Sequence, residues 1–302
     1  MVASSPHLPA NTSNAAPLAL AALVGGALAM GISPIFVRFA EIGPFASAFW
    51  RVALALPALW LWSQLEKPPA DASRPDASAR ISVVLAGLLF AGDLTFWHLA
   101  IMNTTVANAT FLATLAPVWV VLGSGLLLGE SIERKVFLGL GLCLIGAAAL
   151  LGGTWSLAPE RLDGDLYGVA TSIFFGAYFL AVRRARRTYG AGRTLFLSSI
   201  VTAFALLVQA LFIEGRMWPT AWSGIAALVA MALVSHAGGQ GLLAFALGHL
   251  PAAFSALVIF LEAVAAACFG WLLLGEELGL VQAVGALAIF AGIAVARPRR
   301  PA

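Results

Sequence analysis

The chain has 302 residues, of which 61% are hydrophobic and 10% charged, with a mean hydropathy of +0.94. Soluble domains carry about 25% charged residues, so a chain this apolar cannot clothe itself in a polar surface and reads as an integral membrane protein. The formal charge of +3 is too small for a nucleic-acid footprint, and Cys143 and Cys268 both fall inside apolar runs, which argues against a disulfide or metal site.

Residues 1–16 are polar and lack Lys and Arg. A secretory signal begins with a positive segment and a short apolar one, so this stretch reads as a flexible cytoplasmic tail ahead of a retained first helix. Ten apolar runs follow, at about 17–38, 45–64, 81–101, 104–127, 135–153, 165–183, 194–213, 221–246, 250–273 and 279–296. Each is near the ~20 residues that a bilayer-spanning helix needs. The third and fourth meet at a very short turn around Met102-Asn103-Thr104, the eighth and ninth at Gly248-His249-Leu250-Pro251, so each pair is antiparallel. The expected fold is an all-α polytopic membrane protein with ten transmembrane helices.

The connection is repeated because the sequence is. Ala100–Ile132 and Ala246–Leu278 align without gaps at a shift of 146, with nine identities in 33 positions. Five of these form an unbroken run, Leu126-Leu127-Leu128-Gly129-Glu130 against Leu272-Leu273-Leu274-Gly275-Glu276. The opening helices also correspond, Gly31, Val37 and Arg38 matching Gly176, Val182 and Arg183 at a shift of 145. The duplication divides the chain into a tail (1–16), a first five-helix repeat (17–153), an extracytoplasmic linker (154–164), a second five-helix repeat (165–296) and a basic cytoplasmic tail (297–302). With the N-terminus inside, thirteen Lys and Arg fall in cytoplasmic loops and three at outer ends, so the positive-inside rule puts both termini in the cytoplasm. Five spans per repeat is an odd number. The second repeat therefore enters the membrane the other way up, the inverted repeat of many secondary transporters, with a solute site expected near the midplane between the halves.

Several features of the sequence resemble the drug/metabolite transporter superfamily, EamA-type. They are Arg51 early in the second helix, the Ala100-Ile101 and Ala246-Leu247 steps, Leu115-Ala116-Pro117, Leu261-Glu262 and the two Leu-Gly-Glu stops. The resemblance runs over roughly 17–296 and implies ten helices in two repeats, a location in the inner membrane, and solute transport. Where that family usually reads Leu-Glu-Pro, this sequence has Leu261-Glu262-Ala263, which leaves the ninth helix without its kinking proline. The run from Ser235 to Gly241 is most similar to exporters of aromatic and other amino acids of the YddG type.

Polar and aromatic groups within spans are the candidates for a cavity, because lipid does not solvate an amide or a carboxyl. On the third helix these are Asp93, Trp97 and His98; on the fourth, Asn108, Phe111, Thr114 and Trp119; on the sixth, Tyr178; on the eighth, His236 and Gln240; on the ninth, Ser255 and Glu262. Ser255, Ile259 and Glu262 recur at i, i+4 and i+7, away from a small-residue stripe of Ala252, Ala256, Ala263, Ala267 and Gly270 suited to helix packing. Each candidate also has a plainer reading: a satisfied hydrogen bond for Glu262 or His98, tight helix crossing for the glycines beside His236 and Gln240, packing for the aromatics. Arg51 reads as a snorkelling or paired residue, and Glu130 and Glu276 as caps on the helix that follows each. There is no P-loop, nucleophile elbow or metal-ligand spacing, so no catalytic residue, metal or cofactor is expected. The expectation is a secondary transporter exporting small organic metabolites, amino acids first, with sugars, amines or drugs, or a membrane enzyme or lipid-handling protein, as the alternatives. The partners expected are a small-molecule substrate and the bilayer, in a monomer or a homodimer, with no nucleic acid.

Overall fold

A computed structural model describes residues 15–67, 77–151, 159–275 and 278–298. Most of the N-terminal tail, Arg74, most of the linker before the second repeat, Glu276, Arg299 and Arg300 lie outside the described residues. Within them the chain is helical, without strands. Eight helices are long and apolar enough to cross a membrane: α1 (Ala16–Phe39), α2 (Pro44–Leu65), α3 (Ala77–Asn103), α4 (Asn108–Leu128), α6 (Leu162–Ala185), α7 (Ala191–Ile213), α8 (Trp222–Leu247) and α9 (Ala252–Leu273). Two more, α5 (Arg134–Leu150) and α10 (Leu280–Ala296), have 17 residues each, at the lower limit for a span. Large apolar side chains cover the outside, among them Phe212 at 87% and Leu126 at 86% exposure, as a lipid-facing surface requires.

The helices pack in a two-fold pattern. α3 lies along α6 as α1 lies along α8; α4 lies along α6 as α9 lies along α1; and α2 with α7, α4 with α9, and α5 with α10 pair with their own counterparts. The two Leu-Gly-Glu stops end α4 and α9 alike, Gly129 and Gly275 taking left-handed backbone at φ 68° and 70°, the conformation a C-terminal glycine reaches without steric cost.

Four helices are broken and one is wound differently. α1 breaks at Ile32 before Pro34, α2 at Leu54 and Ala55 before Pro57, and α4 at Thr114 and Leu115 before Pro117. Proline clashes with the carbonyl four residues back and removes a donor, so each break falls within the turn that precedes it. α9 breaks at Ile259 and Phe260 although no proline follows. The missing proline therefore does not leave α9 straight: at the break the Glu262 and Ala263 N–H groups bond three residues back, to the Ile259 and Phe260 carbonyls at 2.8 Å and 3.2 Å. In α8 the stretch Met231–Gln240, which holds Gly238 and Gly239, is π-helical. Helix edges fall within a few residues of the expected ones, but α3 runs on to Asn103, so the α3–α4 turn is at Thr104 and Thr105. Thr105 then caps α4, its side chain accepting from the Asn108 N–H at 3.1 Å.

The basic residues near the end of α6 have structural partners. Arg183 donates to the Leu247 carbonyl at 2.6 Å, Arg186 to the Ala244 carbonyl at 2.8 Å and Arg187 to the Leu128 carbonyl at 2.8 Å. The cations thus sit on the negative C-terminal ends of α8 and α4.

Candidate functional site

The helix breaks converge on one cavity of about 210 Å³. Gly31, Ser33 and Pro34 reach it from the α1 break, Arg51 from just before the α2 break, Thr114 and Pro117 from the α4 break, Ile259, Phe260 and Glu262 from the α9 break, and Gln240 from the end of the π-helical stretch. Broken membrane helices are tolerated where the freed backbone lines a cavity, and such mid-membrane breaks are where transporter sites form. The unbroken helices α3 and α6 close the remaining wall with Phe90, Asp93, Trp97, Thr171 and Phe175.

Of the residues singled out in the sequence, Asp93, Trp97, Thr114, Gln240 and Glu262 line this cavity. Two stand one layer behind it. The Tyr178 hydroxyl donates to the Gln240 amide oxygen at 3.0 Å. The His236 ring shares a 2.9 Å hydrogen bond with the Ser199 hydroxyl. Both rings pack on Phe90, with centroids at 4.7 Å and 5.6 Å, so they hold a wall residue in place.

The other five do not line the cavity. His98 is 3% exposed, bonded through Nδ1 to the Leu94 carbonyl at 2.6 Å, with the Phe45 and Trp97 rings beside it. The Asn108 amide donates to Asp165 Oδ1 at 3.0 Å, and Thr104 donates to the same oxygen at 2.7 Å. That carboxylate ties the α3–α4 turn to the first turn of α6. The Trp119 indole N–H is taken by the Ser172 hydroxyl at 2.8 Å. Ser255 is fully buried, and Phe111 is outside the cavity wall. The helical-face argument fails here for a geometric reason. It assumes 100° per residue, and the α4 and α9 breaks lie between Asn108 and Trp119 and between Ser255 and Glu262. A break resets the azimuth, so residues seven apart no longer share a face. Ala263, from the small-residue stripe, is likewise turned to the cavity wall.

Glu130 also departs from expectation. It does not cap α5, whose N-terminus has no side-chain cap. Its carboxylate accepts from the Ala252 N–H at 2.9 Å, at the start of α9, and pairs with Arg183 Nε at 2.9 Å. The left-handed Gly129 aims it into the bundle, where it joins α4, α6 and α9. Glu130→Ala is expected to lower stability by about 2–3 kcal/mol, the cost of losing charge-assisted bonds, in an equilibrium SDS titration. Glu130→Gln should recover part of that, because its amide oxygen can still accept from Ala252. Equal stability of wild type and Glu130→Ala would remove the latch role.

The polar content of the cavity is uneven. Thr114 donates to the Phe111 carbonyl at 2.6 Å and Thr171 to the Asp93 carbonyl at 3.3 Å, so both hydroxyls are engaged. Arg51, Asp93 and Glu262 are not. Among the described residues, no ion pair joins Arg51 to either carboxylate, and neither carboxylate accepts a hydrogen bond from the protein. Arg51 Nε is buried without a partner. The sequence read Arg51 as a framework residue; Pro57 marks the break in α2, but no local pattern tells which side chains stand across the cavity from Arg51. Among the described residues no cluster of side chains could hold a metal ion.

Comparison with known proteins agrees with this architecture. A relative named as a transporter, from Archaeoglobus fulgidus, is 28% identical over 278 residues, covering 91% of this chain and 95% of its own. The pseudopaline exporter of Pseudomonas aeruginosa is 27% identical over 224 residues, 72% of this chain and 75% of its own. An aromatic amino acid exporter, YddG, of Ancylobacter novellus is 29% identical over 144 residues, 44% of this chain and 47% of its own. The model of the EamA-like transporter family matches twice, over residues 17–152 and 162–297, and the chain belongs to that family.

Proposed function

We propose that this protein is a secondary transporter that exports small organic metabolites, amino acids foremost, from the cytoplasm by alternating access. One observation carries the reading: the cavity forms where four broken helices and a π-helical segment from both repeats meet, and its wall combines aromatic rings with a few charged groups. In this reading all ten helices span the inner membrane as two inverted five-helix repeats, with both termini in the cytoplasm, as the Lys and Arg bias supports. Rocking one repeat on the other exposes the solute first to one side and then to the other. Under this orientation the Glu130–Arg183 latch lies at the cytoplasmic end, and it parts when the cavity opens inward. The names of the two exporters among the relatives support efflux, and the amino acid exporter supports the solute class.

The test is uptake into proteoliposomes against a panel of amino acids, sugars and amines. At least one amino acid should move above empty liposomes, and Trp97→Ala, which removes a cavity-wall indole, should cut that rate about tenfold, as truncating a central aromatic contact commonly does. If no solute moves and none shifts the melting temperature, the reading fails.

A further inference from the structure

Within the transporter reading, on which this inference rests, we propose that the cavity is a receptor for the zwitterionic head of an α-amino acid. Arg51 takes the carboxylate, and Asp93 and Glu262 together take the ammonium.

The argument starts from what is left unsatisfied. The cavity-lining hydroxyls of Thr114 and Thr171 are already used, and the Gln240 amide oxygen accepts from Tyr178. The charged groups of the wall are one guanidinium and two carboxylates, brought to one space from α2, α3 and α9. Among the described residues no ion pair joins the guanidinium to either carboxylate. An ionised side chain inside a membrane is costly unless it meets a partner or water, and a cation buried with an unpartnered Nε calls for an anion.

The two signs discriminate among ligands. A guanidinium presents a planar fork that matches a carboxylate with two parallel hydrogen bonds. An ammonium has three donors, enough for two carboxylates. An amine without a carboxylate leaves Arg51 unmatched, and an acid without an amine leaves Asp93 and Glu262 unmatched. Only a ligand that carries both charges satisfies all three. The rest of the wall, including Phe90, Trp97, Phe175 and Phe260, then faces the ligand's side chain. This favours apolar and aromatic amino acids, whose rings offer stacking beyond the area they bury.

The experiment uses the full-length protein in nanodiscs and in proteoliposomes, with two matched sets of probes: phenylalanine, phenethylamine and 3-phenylpropionate; and leucine, 3-methylbutylamine and 4-methylpentanoate. Within at least one set the amino acid should bind at least tenfold more tightly than its amine and its acid, by calorimetry and by melting-temperature shift. Arg51→Gln should erase the preference for amino acid over amine, and Glu262→Gln together with Asp93→Asn the preference for amino acid over acid. An amine or acid that binds wild type as well as the amino acid overturns the proposal, and so does the absence of binding in both sets. The comparison on wild type decides the matter even if Arg51→Gln fails to fold. Zwitterion-selective binding without counterflow would sink the transporter reading and leave the receptor intact; counterflow of sugars or amines without zwitterion preference would do the reverse.

Discussion

A protein carrying both Glu66→Ala and Glu214→Ala is expected to lose about 4–6 kcal/mol of stability, twice the cost of either change alone. Glu66 follows the last turn of α2, and its carboxylate accepts from the Ala191 and Gly192 N–H groups at 2.6 Å and 3.0 Å, at the start of α7. Glu214 follows the last turn of α7, and its carboxylate accepts from the Phe45 and Ala46 N–H groups at 2.7 Å and 2.9 Å, at the start of α2. Each of the two antiparallel helices therefore caps the other. A glutamate at the C-terminus of its own helix opposes that helix's dipole, so these positions look unfavourable until the partner's N-terminus is included. Hydrogen bonds to a charged group contribute about 1.5–3 kcal/mol, and a helix N-terminus adds up to ~2 kcal/mol in partly buried geometry. The two caps stand at opposite ends of helices over 20 residues long, roughly 30 Å apart at 1.5 Å per residue, so their effects should add. The room is reserved for them: a Cβ on Gly43 or Gly190 would overlap the Glu214 or Glu66 carboxylate. Equilibrium unfolding of both single variants and the double variant checks the sum. Single losses below about 0.5 kcal/mol, typical of exposed charge contacts, would show that the caps carry no stability.

Gly146→Leu is expected to be the most disruptive single change, to the point that folded protein is not recovered. α5 and α10 cross backbone to backbone. A Cβ at Gly146 would stand 2.5 Å from the Gly285 carbonyl oxygen, and one at Gly285 would stand 2.6 Å from the Gly146 carbonyl oxygen. Two turns away, Gly139 and Gly292 repeat the arrangement at 2.5 Å and 2.6 Å. Membrane helices associate through such close approach because lipid supplies no hydrophobic drive between them. Inserted carbon has nowhere to go but between the backbones, and overpacking costs about 1–3 kcal/mol for a modest insertion and more for a large one. Gly146→Ala should fall in that range, measured by detergent melting. Gly141→Ala on the same helix is the control, since nothing lies within 4 Å of a Cβ there. That variant should be neutral or slightly stabilising, alanine being the better helix former. If Gly146→Ala and Gly141→Ala behave alike, the close crossing is not what holds α5 to α10.

The sequence by itself determined the membrane character, the positions of the helices and the duplication. These depend on composition and on local pattern, and an apolar run near 20 residues has few other fates. It determined the Leu-Gly-Glu stops as well, because a left-handed C-terminal residue strongly selects glycine. The carboxyls and indole at Asp93, Glu262 and Trp97 were legible as cavity groups from mid-span polarity alone. Only the tertiary structure decided which of the other candidates reach the cavity. Asn108 was claimed by Asp165 and Trp119 by Ser172, partners 57 and 53 residues away that no local pattern announces. Glu66 and Glu214 were invisible as caps because the helix each one serves is far along the chain. The place of Arg51 on the cavity wall depends on where a helix breaks and on what stands across the gap. The physical reason is the same throughout. A helical repeat fixes which way a side chain points only while the helix is unbroken, and the breaks that build this cavity are where that rule stops.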